Sequence, residues 1–327
     1  MKYLFVMNPG SRDGKSKKFF NTIFSLLNEA QINFAYKYTS NLNDAYDFAY
    51  EANCNQYDVI VAVGGDGTIN RVMNGFFDDE GNKISKAKLG IIYTGTSPDI
   101  CKEYNIPFRN IKKSIETLIK CNVNQVQVGK VELFINKDES LTDKPFERGA
   151  NTTTRYFLAA SNIGVGAMIA RYANSGIRKK LGDTLGTFIS LIRALFSYKK
   201  SDYTICTDGE KKVVENAFNI CIGKSYYVAS GIKVYNELTE DDSRFYNVII
   251  KNLKFKNSLS LISSMYSGKE IVSNHNFSFS YLKEVEVYGN GLSPEVELDG
   301  DPAGFLPCSI TVAKDKLSLI VTESNKI

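Results

Sequence analysis

The sequence predicts an α/β domain built on a parallel sheet, followed by a mostly antiparallel β-sandwich domain. Two observations predict this. In the first 130 residues, short apolar blocks alternate with helical stripes, and each block runs into a glycine-bearing turn. Strand–turn–helix repeated in this way builds a parallel sheet covered by helices. From about residue 131 the texture changes to alternating strand patterns parted by Asn, Asp and Gly, as in an antiparallel sandwich. The expected division is 1–130 and 131–327, with a helical insert near 176–200.

In chain order, the apolar blocks 3–7, 59–63 and 89–93 read as strands, the latter two rich in Val and Ile. Their turns are Asn8-Pro9-Gly10-Ser11, Gly64-Gly65-Asp66-Gly67-Thr68 and Gly95-Thr96-Ser97-Pro98-Asp99. Helical spacing follows in Phe19, Ile23, Leu26 and Leu27, then in Ile69, Val72, Met73 and Phe76. The polar stretch 137–151 reads as a surface loop. Beyond it, 156–160, 203–206, 217–222, 246–250, 285–288, 309–313 and 317–321 read as strands of the second domain. Leu185, Phe188, Ile189, Ile192, Leu195 and Phe196 recur at helical spacing between Arg178-Lys179-Lys180 and Lys199-Lys200. Such a stripe packs on the sandwich, or lets a basic-flanked face meet an anionic membrane.

Composition narrows the function. A chain of 327 residues suits two domains that each bury a core. Its net charge of +4 is too small for a nucleic-acid footprint, and no apolar run is long enough for a membrane span. The first residues do not read as a signal peptide. The 6 cysteines lack paired spacing, which points to reduced thiols in a cytoplasmic protein. A single histidine, His275, leaves a Ser–His–Asp triad or a histidine-rich metal site without support.

The glycine turns carry the chemistry. In open α/β sheets ligands bind beyond the C-terminal ends of the strands. Gly64–Thr68 lets the backbone approach phosphate oxygens, and the helix after it aims free amides at the anion. Asp66 within that loop repels phosphate unless a cation mediates, so Mg²⁺ is implied. The alternative is a tight βα turn capped by Asp66, and the second glycine turn at Gly95 tips the balance towards a site. Gly10–Ser16 misses the Walker A spacing by one residue and is not a P-loop. Late in the chain, Glu297-Leu298-Asp299-Gly300-Asp301 reads either as a hairpin tip or as the source of a general base.

In this order the motifs resemble the diacylglycerol kinase catalytic family, in its bacterial soluble lipid-kinase branch, related to sphingosine kinases. The matches are Asn8–Ser11, Gly64–Thr68 with Asn70–Gly75, Gly95–Pro107, Asn162–Ala167, Lys180–Gly182, the acidic loop Glu240-Asp241-Asp242-Ser243, and the terminal Asp299-Gly300-Asp301. The resemblance implies an NAD-kinase-like nucleotide domain, a β-sandwich that helps hold lipid, and ATP-dependent phosphorylation of a lipid hydroxyl at a membrane surface. It implies nucleotide contacts at Asn8, Gly64, Gly65, Asp66, Gly67, Thr68, Gly95, Thr96 and Asp99. Asp66 holds an active-site Mg²⁺ through water, Asp241 and Asp242 suit a structural Mg²⁺, and Asp301 is the base. Diacylglycerol or a related lipid is the expected partner, with no nucleic acid; peripheral membrane association and a homodimer are left open. The chain departs from the family pattern at Pro98, Lys102, Gln127, Ser243 and Asp301, the last being one methylene shorter than the family's glutamate. The rival readings are a soluble NAD-kinase-like enzyme and a non-catalytic nucleotide- or lipid-binding protein.

Overall fold

The computed structural model describes residues 1–172, 193–194, 197–207, 209–228, 231–252 and 273–323. They form two compact units, 1–128 with 313–327, and 129–312.

In the first unit the chain runs β1 (Tyr3–Met7), α1 (Phe20–Glu29), β2 (Phe34–Tyr38), α2 (Leu42–Cys54), β3 (Val59–Gly64), α3 (Asp66–Asn74), β4 (Lys88–Tyr93), α4 (Asp99–Glu103), α5 (Ile111–Lys120) and β5 (Val123–Val126). Strands β1 and β3 are buried at every residue, as expected where helices cover both faces of a parallel sheet. Phe5, Ile23, Leu27, Val61 and Leu118 pack in one core. Each such side chain contributes roughly 1.5–3 kcal/mol by leaving water. A reciprocal capping box between Asn41 and Asp44 starts α2.

The second unit contains β6 (Gly129–Phe134), β7 (Thr152–Phe157), β8 (Ala160–Gly164), α6 (Val165–Tyr172), β9 (Ser201–Thr207), β10 (Glu210–Gly223), β11 (Tyr227–Val228), β12 (Ile232–Lys233), β13 (Phe245–Lys251), β14 (Phe277–Leu282), β15 (Val285–Tyr288), β16 (Glu295–Leu298) and β17 (Asp301–Val312). Its large sheet is antiparallel throughout, in the order β14-β13-β10-β8-β16-β17-β15-β9, with β6 and β7 joined through β17. Two apolar clusters fill it, one around Phe157, Ile220, Phe245 and Leu306, the other around Phe218, Tyr246 and Val248.

Two expectations are corrected. The last strand, β18 (Leu317–Ile320), belongs to the first unit and not to the sandwich. It completes the order β2-β1-β3-β4-β18-β5, parallel to β4 and antiparallel to β5. An apolar run announces a strand but not its partners. The departure at Gln127 belongs to this arrangement. Its buried amide donates to the Ala313 carbonyl at 2.7 Å, and the Ala313 amide donates to Val128. A carboxylate in that place has no proton to give. The strand expected at 156–160 is in fact the end of β7 and the start of β8, for a reason given below. The helical insert near 176–200 falls largely outside the described residues.

Candidate active site

Three turns meet at the C-terminal ends of β1, β3 and β4. The Asn8 side chain accepts from the Gly10 amide and donates to the Thr68 hydroxyl at 2.9 Å, tying the first turn to α3. Thr68 is buried, and its side chain fills the space beside Gly64, where a Cβ would fall 2.4 Å from the Thr68 hydroxyl oxygen. Ser16 and Thr94 hydroxyls lie 2.7 Å apart and join the first turn to the third. Gly65 and Gly95 touch: a Cβ on Gly95 would stand 2.5 Å from the Gly65 Cα. Glycine is required there by the close approach of two backbones.

The expected nucleotide residues are thereby brought together. Gly65 is the N-cap of α3, so Asp66 and Gly67 lie in the helix's first turn, where amides have no helical acceptor. Thr96 is exposed, while Asp99 is buried with its carboxylate 3.6 Å from Lys102. Asp66 and Asp99 converge electrostatically. Burial, then Asp66 ahead of Asp99, raises the proton affinity of the Tyr93 hydroxyl and the Cys101 thiol.

This geometry fits a magnesium-bound polyphosphate. Mg²⁺ is ordinarily held by one or two carboxylates together with substrate phosphates, not by an all-protein cage. Two convergent carboxylates beside a glycine cradle match that description. Among the described residues no group of three or more His, Cys, Asp or Glu side chains could hold a metal alone.

The loop before β13 does not fit the expected structural Mg²⁺ at Asp241 and Asp242. The Asp242 carboxylate accepts two bonds from the Arg244 guanidinium, at 2.7 and 3.1 Å, and Asp241 accepts from the Thr239 hydroxyl. The buried Lys224 ammonium donates to the main-chain carbonyls of Asp242 and Arg244, at 2.5 and 2.9 Å. Burial lowers the Lys224 pKa to about 8, against the opposing pull of Asp242 and Asp241. The protein's own cations hold this loop.

Asp299 and Gly300 form a two-residue hairpin turn between β16 and β17, both at positive φ (49° and 95°), the type I′ geometry that favours Asp-Gly. The Asp299 carboxylate accepts from the amides of Leu158 and Ala159 at 2.8 Å and of Ala160 at 3.2 Å. Those three bonds divert the backbone between β7 and β8, which is why the expected single strand breaks. Asp301 opens β17, directly after the turn.

A residue of the same acidic run, with no separate role assigned from sequence, lies next to it. Glu297 on β16 is 4% exposed, accepts from Asn162 at 2.7 Å and also accepts from the Gly300 amide. Burial first, and the Asp299 and Asp301 charges after it, push its carboxyl up to about 8 against the two hydrogen bonds. Its sequence signals were its place in the acidic run that ends at Asp301 and in a strand where a charged side chain faces the core.

Residues 2–131 match the diacylglycerol kinase catalytic domain, and 159–321 match the C-terminal NAD kinase β-sandwich-like domain of the YegS type. The chain belongs to the diacylglycerol kinase family of lipid kinases. A diacylglycerol kinase of Staphylococcus saprophyticus is 24% identical over 98% of this chain and 95% of its own length. One of Bacillus subtilis is 32% identical over 133 residues, 40% of this chain and 43% of its own. The crystal structure of a Bacillus anthracis diacylglycerol kinase superimposes with a TM-score of 0.68 over 99% of this chain and 97% of that one, at 19% identity. That last likeness concerns the fold. Among the described residues, no helix is long and apolar enough to cross a membrane.

Proposed function

We propose that the chain transfers the γ-phosphoryl group of ATP to a hydroxyl of diacylglycerol or a related lipid, with Mg²⁺ as cofactor. The observation that carries this reading is the meeting of Gly65 with Gly95 beside two convergent carboxylates, in a chain of the lipid kinase family. Phosphoryl transfer needs little covalent chemistry from the protein and depends on positioning and charge neutralisation. Backbone at Gly64, Gly65 and Gly67 lies against the phosphates, and the first turn of α3 aims its amides at them. Asn8 and Thr68 hold two of the turns in register, and Gly95, Thr96 and Asp99 form the wall opposite. Asp66 would hold Mg²⁺. When bound, the metal would neutralise charge on the phosphate oxygens. Asp301 accepts the proton of the lipid hydroxyl as its oxygen attacks the γ-phosphorus, and ADP leaves.

The protein works at a lipid surface in this reading, because the acceptor's acyl chains stay in a bilayer. Incubation with ATP, Mg²⁺ and a total bacterial lipid extract, followed by mass spectrometry, should reveal a lipid that has gained one phosphate. If no lipid is phosphorylated although ATP binds, the non-catalytic reading replaces this one. Phosphorylation of NAD in place of lipid would favour the NAD-kinase-like alternative.

A further inference from the structure

The second unit contains a one-way chain of side-chain amides that ends on Glu297. Its direction is fixed at one end by chemistry. The Gly166 amide in the first turn of α6 can only donate, so the Asn219 side chain presents its oxygen there, at 2.8 Å. Asn219 must then turn its nitrogen to the Asn162 oxygen, at 3.0 Å. Asn162 in turn presents its nitrogen to one oxygen of Glu297, at 2.7 Å. The other Glu297 oxygen takes the amide of Gly300, inside the turn that delivers Asp301. Asn219 and Glu297 are both more than nine-tenths buried. The cross-strand register agrees, with Asn162 opposite both Glu297 on β16 and Cys221 on β10.

We propose that Glu297 is the positioning residue for Asp301: its buried carboxyl, oriented by the Gly166–Asn219–Asn162 relay, clamps the Gly300 amide and so sets the direction in which Asp301 leaves the turn. The proposal rests on the reading of Asp301 as the base. A hairpin turn with two residues at positive φ has few ways to shift by small amounts. One clamp on its central amide therefore controls the side chain that follows, and a displacement of about 1 Å at a reacting group can cost roughly a hundredfold in rate. Asp299 secures the same turn from its other side through the amides of 158–160. Two carboxyl groups thus hold a third in place. The titratable groups that face Glu297 are Asp299 and Asp301 from the hairpin and the Cys221 thiol from β10.

The relay's direction supplies a test that simple packing cannot imitate. In Glu297→Gln, the new amide nitrogen faces the Asn162 nitrogen or the Gly300 amide, so one donor loses its acceptor. Adding Asn162→Asp restores every pairing. The carboxylate introduced at position 162 accepts from Asn219 and from the amide nitrogen introduced at position 297, whose oxygen still accepts from Gly300. Two quantities are measured for each variant, namely hydrogen exchange of the amides at 299–301 and phosphorylation of a bacterial lipid extract in mixed micelles. E297Q should speed exchange at these amides at least tenfold and lower kcat at least tenfold, with KM for ATP unchanged. E297Q/N162D should recover most of both. Unchanged exchange in E297Q, or no recovery in a folded double variant, overturns the proposal. Asp301→Asn separates the underlying reading. If D301N works at the wild-type rate, Asp301 is not the base and the proposal falls with it. If D301N loses about a hundredfold while E297Q keeps full activity, the base stands and the clamp does not.

Discussion

Two acidic sites, one in each unit, treat their carboxyl groups differently. In the first, burial and then the charges of Asp66 and Asp99 raise the proton affinity of Tyr93 and Cys101, with Lys102 3.6 Å from Asp99. In the second, three carboxyls are answered from within: Asp242 by Arg244, Asp299 by three backbone amides, Glu297 by Asn162 and Gly300. The Arg244 hydrogen bond leads the causes that hold the Asp242 carboxyl below its ordinary range, whereas burial dominates at Glu297. The difference teaches where an external cation has a task. A loop with its own ammonium and guanidinium leaves no task for Mg²⁺, whereas two carboxylates beside a glycine cradle would suit one.

The largest expected effect tests the first half of that contrast. Asp66→Asn should reduce lipid phosphorylation by at least about a thousandfold, in keeping with electrostatic terms in phosphoryl transfer. Its urea midpoint should match the wild type. Normal turnover at limiting Mg²⁺ would remove Asp66 from the metal site.

The next test concerns pH. The Glu297 carboxyl titrates near 8 in the folded chain against an ordinary 4.5, so the folded state binds more protons between these values. Stability from this group is therefore fully present below about pH 4.5 and falls as pH rises towards 8. The total is at most on the order of 5 kcal/mol. Urea unfolding at pH 5 and pH 8 should show a smaller loss for Glu297→Gln than for the wild type. Equal losses in both would mean that Glu297 is ionised in the folded protein at pH 5.

A smaller effect is expected at Lys224. Lys224→Met keeps much of the volume but deprives two partly buried main-chain carbonyls of their donor, which costs about 1–3 kcal/mol. Chelator should leave the unfolding of the wild type unchanged while abolishing its activity. A wild-type midpoint that falls with chelator would restore a structural metal to the Asp241–Asp242 loop.

The smallest effect concerns the surface. Lys199 and Lys200 are exposed, and a lysine held close to an anionic bilayer would contribute about 1 kcal/mol. Binding to anionic vesicles should weaken between low and high salt, as measured by co-sedimentation. Binding that ignores salt assigns the contact to apolar side chains instead.

The glycine turns were legible from the sequence because their requirements are local: a strand end, a glycine and a helix start are neighbours in the chain. Gly65 and Gly95 could be named as parts of a site before their contact was visible. The Asp-Gly turn was legible for the same reason, as one of two readings. Lys224 and Glu297 were not, because their partners lie on other strands and depend on register. Nothing near Lys224 in sequence marks it as the cation of a loop almost twenty residues on. Leu317–Ile320 shows the same limit, since its composition suits either sheet.

That last strand has a consequence for synthesis. Because β18 sits between β4 and β5, the first sheet stays split until residues 317–320 have left the ribosome. At about 5–20 residues per second, the delay while the second unit is made is roughly ten to forty seconds. Throughout it, the facing edges of β4 and β5 offer unpaired backbone to any other strand nearby. The nascent chain therefore has a vulnerable interval built into its topology. A fragment cut before β18 carries the motifs of the nucleotide site on a sheet that cannot close.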